Sequence, residues 1–413
     1  MKERAILHSD LNCFYASVEM MLNPALRNKA VAVCGCSEDR HGIVLAKSEL
    51  AKKAGVKTGM VNWEAKALCK DLILVPPQYD QYLKYSKLVQ AIYNRYTDLI
   101  EPFGMDECWL DVTGSIKACG TPMEIAEQIR KAVKEELGLT VSIGVSFNKV
   151  FAKLGSDMKK PDAITEISLY NFKDKVWKLP CEDLIYCGPK TTKKLKTLGI
   201  TTLGQLANCD PELLQRLFGI NGVALWKYAN GLDESRVMPR DYVSPVKSVG
   251  HGITCVADLE NEDEVWKVML CLTQDIGHRL RLHELDAKTV QIYVRGNDLF
   301  GMQFQGKLPL KTQLPSEIAD LGIKLFRDNY RWNTKVRAVT IRVTDLVPHR
   351  DNEQLSLFVD NEKRERRMTL EDCIENLRGR FGKEAITYGI LLGNLKMPDD
   401  GREKVKMPSM MYI

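Results

Sequence analysis

The amino-acid sequence predicts an α+β chain of several domains, on three observations. The chain has 413 residues, beyond the size at which a single hydrophobic core stops growing, so roughly two to four domains are expected. Up to about residue 165, short apolar runs alternate with helical stretches. After residue 245, hydrophobic spacing switches between periods of two and 3.6 in the order βαββαβ.

In order along the chain, Ala5-Ile6-Leu7, residues 30–34 and residues 72–75 are apolar runs of strand length, separated by helical segments. Residues 171–231 turn helical and lysine-rich. Residues 233–245 form a polar connector with Pro239 and Pro245 and little apolar periodicity, the signature of a linker. Beyond it, Val265, Met269, Leu272, Ile276 and Leu280 share one face of a helix. Val290, Ile292 and Val294 alternate with Gln291, Tyr293 and Arg295 as in a strand. A second helix starts at Ser316 with Ile318, Leu321 and Leu325 inward, and a last strand puts Val339, Ile341 and Val343 on one face. A sheet covered on one side by two helices keeps its other face free for a partner. After Val347 the chain is charged and irregular, with the basic cluster Lys363, Arg364, Arg366 and Arg367 and one short helix. No internal repeat is present.

Composition narrows the function classes. A formal charge of +5 permits a polyanionic partner without demanding one. The twelve cysteines are scattered singly apart from Cys34-Gly35-Cys36, with no paired CxxC elements for tetrahedral zinc. Reduced, mostly buried thiols in a cytoplasmic protein are expected. The N-terminal apolar stretch breaks at His8 and Asp10, unlike a secretory signal, and no apolar run reaches membrane-spanning length.

Three blocks carry the chemistry. Asp10 ends the first apolar run and leads into Cys13-Phe14-Tyr15. The acid pair Asp106-Glu107 lies within PFGMDECWLDVTG. The segment VSIGVSFNKVFAKLGSDMKKP ends at Lys160-Pro161. Carboxylates at strand ends that converge from distant parts of a chain suit two oxygen-loving divalent ions, Mg²⁺ above all. Neighbours in a strand point to opposite faces, so Asp106 and Glu107 can share a site only if a turn re-aims one of them; Pro102-Phe103-Gly104 supplies it. Alone, Asp10 would read as a helix cap and Asp106-Glu107 as a hairpin tip. Asp111 reads as structural.

Together these blocks resemble the Y-family, or lesion-bypass, DNA polymerases, most closely the polymerase IV group, over roughly the first 345 residues. The resemblance implies a right-hand architecture: a palm at residues 1–13 and 79–167, fingers at 14–78, a helix-hairpin-helix thumb at 168–232, a linker at 233–245, a βαββαβ little finger at 246–347, and a tail at 348–413. It implies that Asp10 and Asp106 bridge two Mg²⁺ ions, with Mn²⁺ as an alternative metal, that Glu107 completes the ion activating the primer 3′-hydroxyl, and that the Leu11 carbonyl joins the ion carried by the triphosphate. Tyr15 falls where the family has its aromatic steric gate against ribose. Phe14 beside it is counted with the nucleotide-binding residues, although of the two it is the better core candidate because it has no hydroxyl to satisfy. Lys160 matches a triphosphate-binding lysine.

The fingers depart from the family pattern. Positions that usually present a threonine, a tyrosine and an arginine to the phosphates read Ala46, Glu49 and Lys52. Lysine cannot form arginine's bidentate fork, so either Lys47 and Ser48 substitute or triphosphate binding weakens. Ile43 and Leu45 form either the roof over the nascent base pair or an ordinary buried strand. The family usually has serine where Gly104 stands.

In the thumb, Gly188, Lys190, Lys193 and Lys194 open a stretch resembling a helix-hairpin-helix, which holds a DNA phosphate on helix N-terminal amides; Gly199 fits its C-terminal cap. Pro189 has no N–H, and the lysines offset that loss. Gln354-Leu355-Ser356-Leu357-Phe358 looks like the peptide by which bacterial polymerases bind the sliding clamp; a tail segment docking on its own domain is the plainer alternative. The expectation is a monomeric polymerase acting on primer-template DNA and deoxynucleoside triphosphates, of low fidelity and without proofreading. A two-metal nuclease or cyclase on a related palm, and a clamp-tethered DNA-binding protein with decayed fingers, are the alternatives.

Overall fold

The computed structural model describes residues 4–38, 40, 42–349, 360–383 and 385–398. Among these, residues 4–35 with 43–244 form one unit, and residues 36–38, 40 and 42 with 245–349, 360–383 and 385–398 form another.

The first unit is built on a five-stranded sheet ordered Ile100–Pro102, Glu107–Asp111, Ile6–Leu11, Val141–Ser146, Ile164–Ile167. Ile6–Leu11 is its middle strand, and all six residues are buried. The strand therefore runs past Leu7 through His8, Ser9 and Asp10. Leu7 and Leu11 face a core shared with Tyr82, Ile92, Tyr93, Ile125, Ile129 and Val133, drawn from the helices Tyr79–Tyr93 and Pro122–Leu137. Ser9 on that face accepts a hydrogen bond from the Tyr93 hydroxyl at 2.8 Å. Ile6, His8 and Asp10 face the other side, where Ile6 packs with Trp109 and Ala152.

The helix Lys149–Met158 covers that second face, and two glycines let it sit close. A Cβ at Gly144 would lie 1.9 Å from the Ala152 carbonyl oxygen, and one at Gly155 would lie 3.1 Å from Gly144 Cα. This tight approach places Lys153 over Asp10. A separate three-stranded sheet, ordered Val44–Lys47, Val31–Cys34, Ile73–Val75, also belongs to this unit. Five short helices between Phe172 and Ala229 surround a core of Val176, Leu184, Leu195, Leu203, Leu206, Leu214 and Leu225. Residues 232–248 contain neither helix nor strand.

The second unit carries the expected βαββαβ order. Its sheet runs Gly301–Thr312, Leu285–Gly296, Val336–Thr344, Val249–Leu259. The helices Glu262–Leu282 and Pro315–Asn329 cover one face, burying Val265, Met269, Leu272, Ile276, Leu280, Ile318 and Phe326 against Val290, Ile292, Val294, Val339, Ile341 and Val343. Asn261 caps the first helix by accepting from the Glu264 N–H. In the second helix Leu321 and Leu325 are only half-buried, and Gly322 makes the closest approach, since a Cβ there would lie 2.9 Å from Ile341 Cδ1. Gln291, Tyr293, Thr340 and Arg342 occupy the uncovered face.

One expectation is corrected beyond residue 348. Asn361–Phe381 is a helix of 21 residues, not a short one in an irregular tail. Arg364 is buried and pairs with Glu317 at 3.0 Å. Arg378 donates to the Ile386 carbonyl, Glu371 accepts from the Tyr388 hydroxyl, and Leu391 packs with Leu270 and Ala319. Of the helix's apolar side chains only Ile374 is buried, beside the buried Arg364 and Glu371, so the helix has no hydrophobic period to read. Among the described residues no helix is long and apolar enough to cross a membrane. Gln354, Leu355, Leu357 and Phe358 lie outside the described residues.

Candidate active site

Adjacent strands bring the three acids together. Asp10 pairs directly with Glu107 across the antiparallel ladder, and the Leu11 N–H bonds to the Asp106 carbonyl oxygen at 2.9 Å. The strand begins at Glu107, so Asp106 lies in the turn before it, where Gly104 takes φ +92°. That backbone lets consecutive carboxylates serve one site, as the Pro102-Phe103-Gly104 stretch predicts. Asp10 is 6% exposed.

Two lysines reach the acids from the Lys149–Met158 helix and the segment after it. Lys153 Nζ is 2.7 Å from Glu107 Oε2, 3.4 Å from Asp10 Oδ2 and 3.3 Å from Asp157 Oδ2. Lys160 Nζ is 2.7 Å from Asp10 Oδ2 and 2.9 Å from Asp157 Oδ1. Below them, buried His8 accepts or donates at Nδ1 to the Ser156 hydroxyl at 2.8 Å and sets Nε2 3.2 Å from Glu107 Oε2. Glu107 Oε2 is thus within ion-pair distance of two groups without a well-aligned hydrogen bond to either.

The electrostatics separate the three acids. Burial pushes Asp106 up to about 7, and Glu107 and Asp10 add to the rise. Burial also raises Asp10, against the pull of Lys160 and Lys153. Burial acts upward on Glu107 too, but His8 and Lys153 outweigh it and hold that carboxyl down at about 2. Among the described residues no three His, Cys, Asp or Glu side chains form a ready metal-ligand cluster. The donor set nonetheless fits a hard divalent ion: three carboxylates around one backbone peptide, with one buried oxygen lacking an aligned hydrogen bond. Among the described residues Asp106 forms no ion pair, and the Lys153 charge only partly offsets its rise.

Tyr15 is the second residue of the helix Phe14–Leu22, its ring stacked on Tyr82 at 4.2 Å and 7° and edge-on to Tyr79. It is half-buried, and burial followed by the Asp106 charge pushes its phenol up. Phe14 is 3% exposed within the main core. The expectation that Phe14 lines the nucleotide pocket is corrected accordingly, because it has no exposed face to offer.

Comparison with known proteins bears on this geometry. The impB/mucB/samB family profile matches residues 9–157, and the profile of that family's C-terminal domain matches residues 246–357. The chain is 48% identical to the DNA polymerase IV of Acetivibrio thermocellus over 94% of this chain and 98% of that one. It is 38% identical to DNA polymerase IV 1 of Bacillus subtilis over 95% of this chain and 94% of that one. A solved Y-family DNA polymerase chimera shares its fold with a TM-score of 0.73 at 22% identity, covering 83% of this chain and 99% of that chain. The chain belongs to the Y family of DNA polymerases. A requirement for divalent metal follows from that membership.

The residues expected to form the fingers are placed as follows. Ile43 is 41% exposed and bridges to Val61, and Leu45 is half-buried on the strand Val44–Lys47. Ser48 is buried, caps Ala51, accepts from the Val31 N–H and donates to the Lys29 carbonyl. Both hydrogen-bonding roles of this hydroxyl are thus taken by the backbone. Lys47 donates to Thr58 at 3.0 Å, and Lys52 faces solvent 3.9 Å from Glu49. In the stretch expected to form the thumb, Gly188 caps the helix Pro189–Thr197, Gly199 takes φ +76° beyond its end, and Gly188, Lys190 and Lys193 are exposed. Lys194 is turned onto the Leu217 carbonyl and the Phe218 ring.

Sequence reasoning missed Lys153, Asp157 and His8. Each carried a signal: His8 shares a strand face with Asp10 at a spacing of two, and Lys153 and Asp157 are one helical turn apart.

Proposed function

We propose that this chain is a template-directed DNA polymerase of the translesion type, adding deoxynucleotides to a primer 3′-hydroxyl and releasing pyrophosphate. The single observation that carries this is the pairing of Asp10 with Glu107, with Asp106 beside them, under Lys160. Asp10, Asp106, Glu107 and the Leu11 carbonyl would hold two Mg²⁺ ions, which supply activation of the 3′-hydroxyl and neutralise the triphosphate. Tyr15 presents a rigid ring, backed by Tyr82, that a ribose 2′-hydroxyl would strike. Lys160 steers the triphosphate, and Lys52 adds a distant point charge. Ile43 and Leu45 roof the base pair. Gly188, Lys190 and Lys193 grip a DNA phosphate, and the free sheet face of the second unit lies on duplex.

The parts are assigned as palm 1–13 and 79–167, fingers 14–78, thumb 168–232, linker 233–245, little finger 246–347 and tail 348–413. The enzyme works as a cytoplasmic monomer tethered to the sliding clamp through Gln354, Leu355, Leu357 and Phe358. The test is primer extension with Mg²⁺ on undamaged and abasic templates, with Asp106→Asn as control. Template-dependent extension past the abasic position, lost in the control, supports the reading; nicking of template without extension would replace it with the nuclease alternative.

A further inference from the structure

We propose that Lys153 is a built-in competitor for the metal site: its ammonium group occupies the carboxylate oxygens that a divalent ion needs, and Asp157 is the acceptor that takes the lysine when the ion binds. The inference rests on the reading of Asp10, Asp106 and Glu107 as metal ligands. Lys153 is 14% exposed and has three carboxylates within 3.4 Å, two of them candidate ligands. Lys153 is more enclosed than Lys160, whose side chain is 26% exposed. Its position is set by the helix, which Gly144 and Gly155 allow against the sheet, and does not depend on substrate.

A divalent ion and an ammonium group cannot share the same oxygens without repulsion, so ion binding requires Lys153 to leave Glu107 and Asp10. Asp157 gives it somewhere to go. It lies one turn along the same helix, its carboxylate already 3.3 Å from Lys153 and 2.9 Å from Lys160, and it is 43% exposed, so moving a charge toward it incurs little desolvation. The device keeps three clustered carboxylates compatible with folding while setting a threshold concentration for the ion.

The experiment measures Mn²⁺ binding to the full chain, without DNA or nucleotide, from the electron paramagnetic resonance signal of free Mn²⁺. Lys153→Gln is expected to bind Mn²⁺ roughly tenfold more tightly than wild type, the size of one partly buried ion pair. Lys153→Arg retains the charge and should stay within about threefold. Asp157→Asn removes the acceptor and should weaken binding by roughly threefold; being on the surface, it decides the matter even if Lys153→Gln does not fold. Unchanged or weaker binding in Lys153→Gln, or tighter binding in Asp157→Asn, overturns the proposal. Glu107→Gln separates the two levels: if it leaves Mn²⁺ binding unaltered, the metal reading itself is withdrawn and this inference with it.

Discussion

The two main sheets of the molecule treat polar residues in opposite ways. In the first unit the middle strand Ile6–Leu11 buries His8, Ser9 and Asp10 completely or nearly so. In the second unit the strand Leu285–Gly296 turns Val290, Ile292 and Val294 to the helices and leaves Gln291 and Tyr293 on the open face. From Val290 to Val294 the second strand obeys the alternation that makes a fold; the first breaks it, and burial of polar groups such as His8, Ser9 and Asp10 persists only where their partners, Ser156, Tyr93 and Lys160 here, offset the desolvation. Chemistry should therefore concentrate in the first sheet and grip in the second.

The largest effect should come from the acids. Asp106→Asn or Glu107→Gln is expected to lower single-turnover nucleotide addition by about 10³-fold or more while primer-template affinity stays within about threefold. Loss of DNA binding in parallel with rate would erase the distinction between the two sheets. Next, Tyr15→Ala should raise ribonucleotide relative to deoxynucleotide use by about 10²-fold, on the scale of lost steric exclusion; an unchanged ratio moves the gate off Tyr82's stacking partner. Alanine at Gln354, Leu357 and Phe358 together should abolish stimulation by the clamp, an effect of roughly tenfold or more, with single-nucleotide addition on a short primer intact. Should both activities fall together, the peptide belongs to the fold.

On the open face of the second sheet, Arg342→Ala should weaken primer-template binding several-fold and flatten its salt dependence by about one unit of slope, with the rate of addition in saturating DNA unchanged. A changed rate at saturation would place chemistry where only grip is expected. The smallest functional effect belongs to Gly322→Ala, whose new methyl meets Ile341 and Met269 and should cost about 1–3 kcal/mol in thermal unfolding without altering activity below the transition.

The second unit was legible because hydrophobic period and fold agree there: Val265 through Leu280 and Val339 through Val343 form the helix and strand their spacing predicts. The acids were legible because carboxylates in apolar contexts contradict the local pattern. Asn361–Phe381 was not, since its contacts are arginine and glutamate pairs whose partners lie far off in sequence, as Arg364 and Glu317 show. Lys153 escaped for a related reason: its charge is ordinary on a helix, and only the Gly144 and Gly155 approach, a tertiary fact, turns it toward Asp10.

Asp10, Asp106 and Glu107 are expected to hold a pair of divalent ions beside a bound nucleotide, and counting Mn²⁺ bound to the complex of polymerase, a primer ending without a 3′-hydroxyl, template and the matching deoxynucleoside triphosphate measures this. Two ions per polymerase in the wild type, falling to one in Glu107→Gln with the nucleotide still bound, is the predicted result. An ion count that Glu107→Gln leaves unchanged would contradict it.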